Sequence, residues 1–134
     1  MNELLSDMRQ TLEELNKHDD VNLAAFVKRF EPALASGEAA TQWMLEQNDA
    51  SLPAATSVEY LMMQGRLAGA WMMARLALAA YAQLSDDGAD RDYLSSKMVL
   101  ARYYAERMLP LVEAAETIIT DSASTTIALD QAML

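Results

Sequence analysis

Residues able to do chemistry are few in this chain and stand apart from one another. The chain has one histidine, His18, and no cysteine, which excludes disulfides, thiolate metal sites and cysteine nucleophiles. A di-iron site in a helical bundle needs a Glu-x-x-His pair, but Leu15 stands three residues before His18. A Ser or Thr nucleophile needs a general base beside it. The sequence therefore predicts neither a metal centre nor a hydrolytic triad, and His18 is expected at the surface or at a helix cap.

No glycine-rich phosphate loop is present either. Gly65 and Gly69 are the one notable glycine pair, and they lie within an apolar run instead of following a strand. Their spacing predicts close backbone approach to a neighbouring helix. The net charge of −10 opposes nucleic-acid binding, because the phosphate backbone would be repelled. We therefore predict no catalytic, cofactor-binding or metal-binding residue in this chain.

Two arginines interrupt the most apolar stretch of the chain, Tyr60 to Leu84. Arg66 and Arg75 are nine positions apart, which places them on opposite sides of a helix. At least one is therefore expected to meet a carboxylate across an interface. The group that begins at Trp71 is interpreted as packing in a core or at an interface. Only eight residues separate the arginines, too few for a membrane span, and no secretory leader is visible, so a cytoplasmic protein is expected.

The elements that hold these residues are predicted to be helices. The chain has 134 residues, of which 52% are hydrophobic and 22% charged, and this fits one folded domain over residues 1–134. Ala, Leu and Met dominate, whereas β-branched aliphatic residues, glycine and proline are scarce. The predicted fold is all-α, an antiparallel bundle of four to five helices.

Apolar spacing gives the expected helix limits. The first helix runs from Asn2 to Lys17, and Asp19 or Asp20 caps the second, in which Pro32 is expected to cause a kink or a break. The third runs from about Pro53 to Leu84. It is apolar nearly all round, so it is either central in the bundle or covered by a second body.

The fourth helix is expected from about Asp90 to Ile119, and Pro110 is expected to bend it without ending its apolar pattern. Its apolar residues recur at alternating intervals of four and three, which predicts a continuous buried seam. The seam consists of Leu94, Met98, Ala101, Ala105, Met108, Val112, Ala115 and Ile119.

Two runs in the third and fourth helices resemble a known family. They are YLMMQGRLAGAWMMARLA at residues 60–77 and KMVLARYYAERMLP at residues 97–110. Both are similar to the C-terminal helical domain of one branch of the acyl-CoA dehydrogenases. The similarity is clearest from about Ala54 to Ile119. The matching positions include Gly65, Trp71, Arg75, Lys97 and Arg102.

The resemblance implies an accessory domain. In that family the FAD site, the acyl-CoA pocket and the glutamate that removes the α-proton belong to the larger body before this domain. No catalytic or flavin-binding residue is therefore carried over, and FAD is expected only in a parent flavoprotein of fatty-acid metabolism. The expected partner is that catalytic body, and whether the chain counts as an enzyme stays open. The interface or structural candidates are Gly65, Gly69, Trp71, Arg75, Lys97 and Arg102.

An alternative from another functional class also fits the sequence. A free-standing bundle that forms homo-oligomers or binds a protein partner would show the same apolar third helix and the same lack of catalytic groups. The discriminating observation is whether a dehydrogenase body is encoded immediately upstream in the same reading frame.

Overall fold

The computed structural model describes residues 2–133, and the side chains of residues 3–129. Within that range the chain forms helices and no strand, which confirms the all-α helical bundle. Five helices are long and α3 has five residues. The predicted domain limits at residues 1 and 134 lie outside the described residues. The helices are α1 (Asn2–Asn16), α2 (Val21–Glu46), α3 (Ser51–Ala55), α4 (Ser57–Gln83), α5 (Arg91–Met108) and α6 (Pro110–Met133).

The first two helices form as their sequence patterns predict. The carboxylate of Asp20 accepts hydrogen bonds from the backbone N–H groups of Asn22 and Leu23, at 2.8 and 3.0 Å. These two N–H groups have no partner inside the helix, so Asp20 caps α2. The predicted apolar stripe of α1 is buried and packs on α2. That stripe consists of Leu5, Met8, Leu12 and Leu15.

The break considered at Pro32 does not occur, because α2 continues through the proline to Glu46. Phe30 and Leu34, on either side of it, are fully buried, and this packing outweighs the cost of a proline inside a helix, about 3 kcal/mol. Gly37 allows close packing of α2 against α4. A Cβ there would lie 3.8 Å from Cγ of Leu67 and closer still to its Cδ1.

The long third helix expected from Pro53 to Leu84 is divided in two. Thr56 separates α3 from α4, since its backbone angles, φ −119° and ψ 17°, are not helical. Thr56 is buried, and its hydroxyl donates to the carbonyl oxygen of Pro53 at 3.4 Å. α4 ends at Gln83, and Gly88 turns the following loop with a φ of 78° that favours glycine.

The fourth helix expected from Asp90 to Ile119 is also two helices, so the prediction of one bent helix is wrong, although the apolar pattern continues past Pro110. α5 ends at Met108, and Pro110 is the first residue of α6, where its missing N–H costs no helical hydrogen bond. Seven of the eight residues of the predicted seam are buried, and the exception lies at this junction. Leu109 is fully buried, whereas Met108 is half-buried.

α4 lies against most of the bundle with one face only. It packs on α1, α2, α5 and α6. The bundle does not enclose this apolar helix, because its opposite face is open in this chain. The buried residues are Met63, Leu67, Ala70, Ala74 and Ala77.

Candidate functional site

The outward face of α4 is apolar along most of its length. Leu61 is 71% exposed and Met72 is 59% exposed, although both belong to a residue class that cores normally bury. Gly65 lies between them and is exposed. Arg75 is the charged residue that borders this face towards its C-terminal end. Such a contiguous apolar face is typical of an interaction site.

The adjoining side of α5 extends this face. Ala79 of α4 and Tyr93 of α5 line one shallow groove between the two helices, together with Lys97. Tyr93 and Leu100 are exposed, and they share one side of α5 with Lys97 because they are spaced by four and three residues. We call this region the α4–α5 surface. It consists of Leu61, Met62, Met72, Leu76, Tyr93 and Leu100.

The two candidate glycines have different surroundings. A Cβ at Gly65 would meet no atom within 4 Å, so the expected close helix approach at Gly65 is wrong for packing within this chain. A Cβ at Gly69 would lie 2.9 Å from Cζ of Tyr104 and closer still to its hydroxyl. Gly69 therefore leaves room for the Tyr104 ring. The spacing of Tyr104 from Lys97 and Leu100 placed it on the same side of α5, but the sequence interpretation missed it.

Tyr104 joins α5 to α4 through its hydroxyl. The hydroxyl donates to the backbone carbonyl oxygen of Arg66 at 2.9 Å. Burial raises the pKa of Tyr104, and the Arg66 guanidinium acts against that rise. The contact fixes the relative position of the two helices that form the α4–α5 surface.

Trp71 and Arg75 mark the edge of the surface that faces α1. The indole Nε1 of Trp71 donates to the Thr11 hydroxyl of α1 at 2.9 Å. The Arg75 guanidinium lies 5.4 Å from the centre of the Trp71 ring, a cation–π contact. Among the described side chains neither Arg66 nor Arg75 pairs with a carboxylate. The expected carboxylate partner is therefore not found within residues 3–129.

Lys97 and Arg102 lie on different sides of α5. The Lys97 ammonium is 4.8 Å from the centre of the Tyr93 ring, beside α4. Arg102 bonds Glu106 at 3.2 Å and donates to the side-chain oxygen of Asn22 on α2 at 3.4 Å. Arg102 therefore connects α5 to α2, away from the α4–α5 surface.

A separate cavity of about 670 Å³ lies at one end of the bundle. Glu14, His18, Asp20 and Arg91 line it, and the His18 ring lies 4.8 Å from that of Tyr81. Two carboxylates face a single arginine there, so these residues do not fit the pyrophosphate of FAD. Over the part of the chain that the structure describes, no group of three His, Cys, Asp or Glu residues is placed to hold a metal.

The site is thus an exposed apolar surface on an all-α bundle. The sequence model of the family described as "Acetyl-CoA dehydrogenase C-terminal like" matches residues 4–130. The chain belongs to this family. No solved structure matches the chain, and among residues 2–133 no helix combines the length and apolar character needed to cross a membrane.

A characterised relative carries the same kind of segment. The 3-methylmercaptopropionyl-CoA dehydrogenase of Ruegeria pomeroyi is 38% identical to this chain over 68 residues. The aligned part covers 51% of this chain but 11% of that dehydrogenase. The relative is therefore much longer than the segment that the two proteins share.

Proposed function

We propose that this chain is an accessory C-terminal domain of an FAD-dependent acyl-CoA dehydrogenase, which packs on the catalytic body or helps to assemble it. The match to the C-terminal family over residues 4–130 carries the proposal. The relative supports it, because the shared segment is 11% of a full dehydrogenase. The chemistry of acyl-CoA oxidation would then belong to the body, which holds the flavin and the catalytic base.

The residues of this chain agree with an accessory role. The cavity at the end of the bundle presents Glu14 and Asp20, which repel phosphate groups. The open α4–α5 surface supplies an area for contact with another body. The parent enzyme would be a flavoprotein of fatty-acid metabolism, and we place it in the cytoplasm, which cell fractionation would check.

The test purifies the product of the natural gene with an affinity tag inserted at its own locus. We expect a yellow preparation with flavin absorbance in which mass spectrometry identifies an acyl-CoA dehydrogenase body. The body is found either in the same polypeptide or as a separate subunit. The chain expressed alone is expected to be colourless and without dehydrogenase activity. A colourless natural product that contains no dehydrogenase would refute the proposal.

The exposed apolar face of α4 also favours a second candidate, a free-standing bundle that forms homo-oligomers. Leu61 and Met72 would then be covered by a second copy of the chain. Sedimentation of the natural gene product separates the two candidates. Self-association without a dehydrogenase body supports the second candidate, whereas a stable assembly that contains the body supports the first.

A further inference from the structure

Charge is distributed unevenly between the helices of this acidic protein. The whole chain has 10 basic and 20 acidic residues. α4 and α5 together contain six of the basic residues and three of the acidic ones, a net charge of +3. The remaining residues have four basic and seventeen acidic side chains, a net charge of −13. The positive helices are the two that form the apolar α4–α5 surface.

Three of these cations are held on aromatic rings in the same way. Each cation follows its aromatic partner by four residues on the same helix, where the two side chains are neighbours. The distances from cation to ring centre are 5.4 Å for Arg75 on Trp71, 4.8 Å for Lys97 on Tyr93 and 5.8 Å for Arg107 on Tyr103. None of the three forms an ion pair among the described side chains.

The three cations stand within or beside the apolar area. Arg75 follows Trp71, which contacts α1, so it lies at the α1 edge of the surface. Lys97 lines the groove between α4 and α5, and Arg107 stands seven residues after Leu100, on the same side of α5. An aromatic ring leaves the charge of the cation available and reduces the side-chain freedom that is lost on binding. The arrangement is an apolar surface with three preorganised positive groups.

We infer that the α4–α5 surface docks an apolar protein surface that carries carboxylates aligned with Arg75, Lys97 and Arg107. This inference rests on the proposed function, under which the docked surface belongs to the dehydrogenase body. The positive groups of the α4–α5 surface favour a partner surface that carries negative charges. Two-fold pairing of two copies through this surface would bring two positively charged surfaces together, which disfavours a second copy as the partner.

The test titrates the flavin-loaded dehydrogenase body, identified in the experiment above, with the chain by calorimetry. Where both are one polypeptide, a specific protease site inserted before residue 1 first separates them. Arg75→Glu is expected to weaken binding by about 10-fold or more, because it places two carboxylates together. Arg29→Glu, an exposed change of the same kind on α2, is the matched control and should leave the affinity unchanged.

A second pair of variants tests the apolar centre. Leu61→Ser should weaken binding by about 10- to 100-fold, since the leucine is buried in the complex. Leu45→Ser is the control, because Leu45 is 69% exposed on α2 and Leu61 is 71% exposed on α4. All four positions are exposed, so each variant should keep the circular dichroism spectrum of the wild type. Rising salt should also weaken binding of the wild type.

The possible failures are distinguishable. If the wild type does not bind the body, the proposed function and this inference fall together. If the wild type binds but Arg75→Glu and Leu61→Ser bind equally well, the docking surface is wrong and the proposed function stands. Self-association lost in Leu61→Ser, or binding to vesicles of phosphatidylserine, would assign the surface to a second copy or to a lipid surface and overturn the inference.

Discussion

The two glycines of α4 give a direct test of how Tyr104 packs. Gly65 and Gly69 lie in the same helix, one turn apart, but only Gly69 has a neighbouring side chain where a Cβ would stand. Replacing either glycine with alanine removes backbone freedom from the unfolded chain and favours the helix by about 0.5–1 kcal/mol. We therefore expect Gly65→Ala to stabilise the protein by about that amount.

Gly69→Ala favours the helix by the same free energy, but the new methyl group clashes with Tyr104, and this clash costs more than the helix gains. The new methyl group would lie 2.9 Å from Cζ of Tyr104, so the ring must move. Forcing an extra methyl group into such a contact costs about 1–3 kcal/mol. The moving ring also strains the 2.9 Å hydrogen bond from its hydroxyl to the Arg66 carbonyl. We expect Gly69→Ala to be less stable than Gly65→Ala by about 1–3 kcal/mol.

Urea unfolding of both variants, followed by circular dichroism, measures this difference. The Tyr104→Ala background is the control, because Gly69→Ala should there stabilise as much as Gly65→Ala does. The coupling between Gly69 and Tyr104 is then about 1–3 kcal/mol in a double-mutant cycle. Equal stabilisation by the two glycine changes in the wild-type background would refute the position of Tyr104 over Gly69.

Three further predictions concern other contacts, and urea unfolding tests all of them. Thr11→Val should cost about 0.5–1.5 kcal/mol, because the Trp71 indole loses its acceptor while the side-chain volume is kept. Asp20→Ala should cost about 1 kcal/mol through loss of the α2 cap, whereas the exposed Asp19→Ala should have little effect. Burial raises the pKa of Tyr104 above its ordinary value of about 10. The neutral Tyr104 phenol therefore contributes fully to the free energy of unfolding below about pH 10, and this contribution is lost as the pH rises through the folded-state pKa. At alkaline pH the wild type should therefore lose more stability than Tyr104→Phe. An identical alkaline loss in both proteins would contradict the buried phenol.

Proline shows the limit of local patterns. Pro32 predicted a kink or a break, and the break is excluded because α2 is continuous, with Phe30 and Leu34 buried on both sides of the proline. Pro110 suggested only a bend, but it begins α6 and brings Leu109 into the core in place of Met108. A proline costs about the same free energy in any helix interior. Whether the helix continues through the proline depends on how strongly the flanking residues pack, and that packing involves other helices.

The candidate site also combines features that the sequence predicts with features that depend on helix packing. The cations Arg75, Lys97 and Arg107 are the example. Their spacing from aromatic residues is visible in the sequence, and the family resemblance singled out Arg75 and Lys97. The sequence interpretation did not include Arg107. Its place at the border of one surface becomes visible only when α5 is packed beside α4.

The sequence by itself determined the helical class, the buried stripe of α1, most of the buried seam of α5 and α6, and the family. These properties depend on composition and on apolar residues recurring at the helical period, which neighbouring residues encode. Only the tertiary structure decided that Gly69 is covered while Gly65 is open, and that the apolar outer face of α4 is extended by α5. Both depend on the lateral position of one helix against another, which is set by packing between residues distant in sequence.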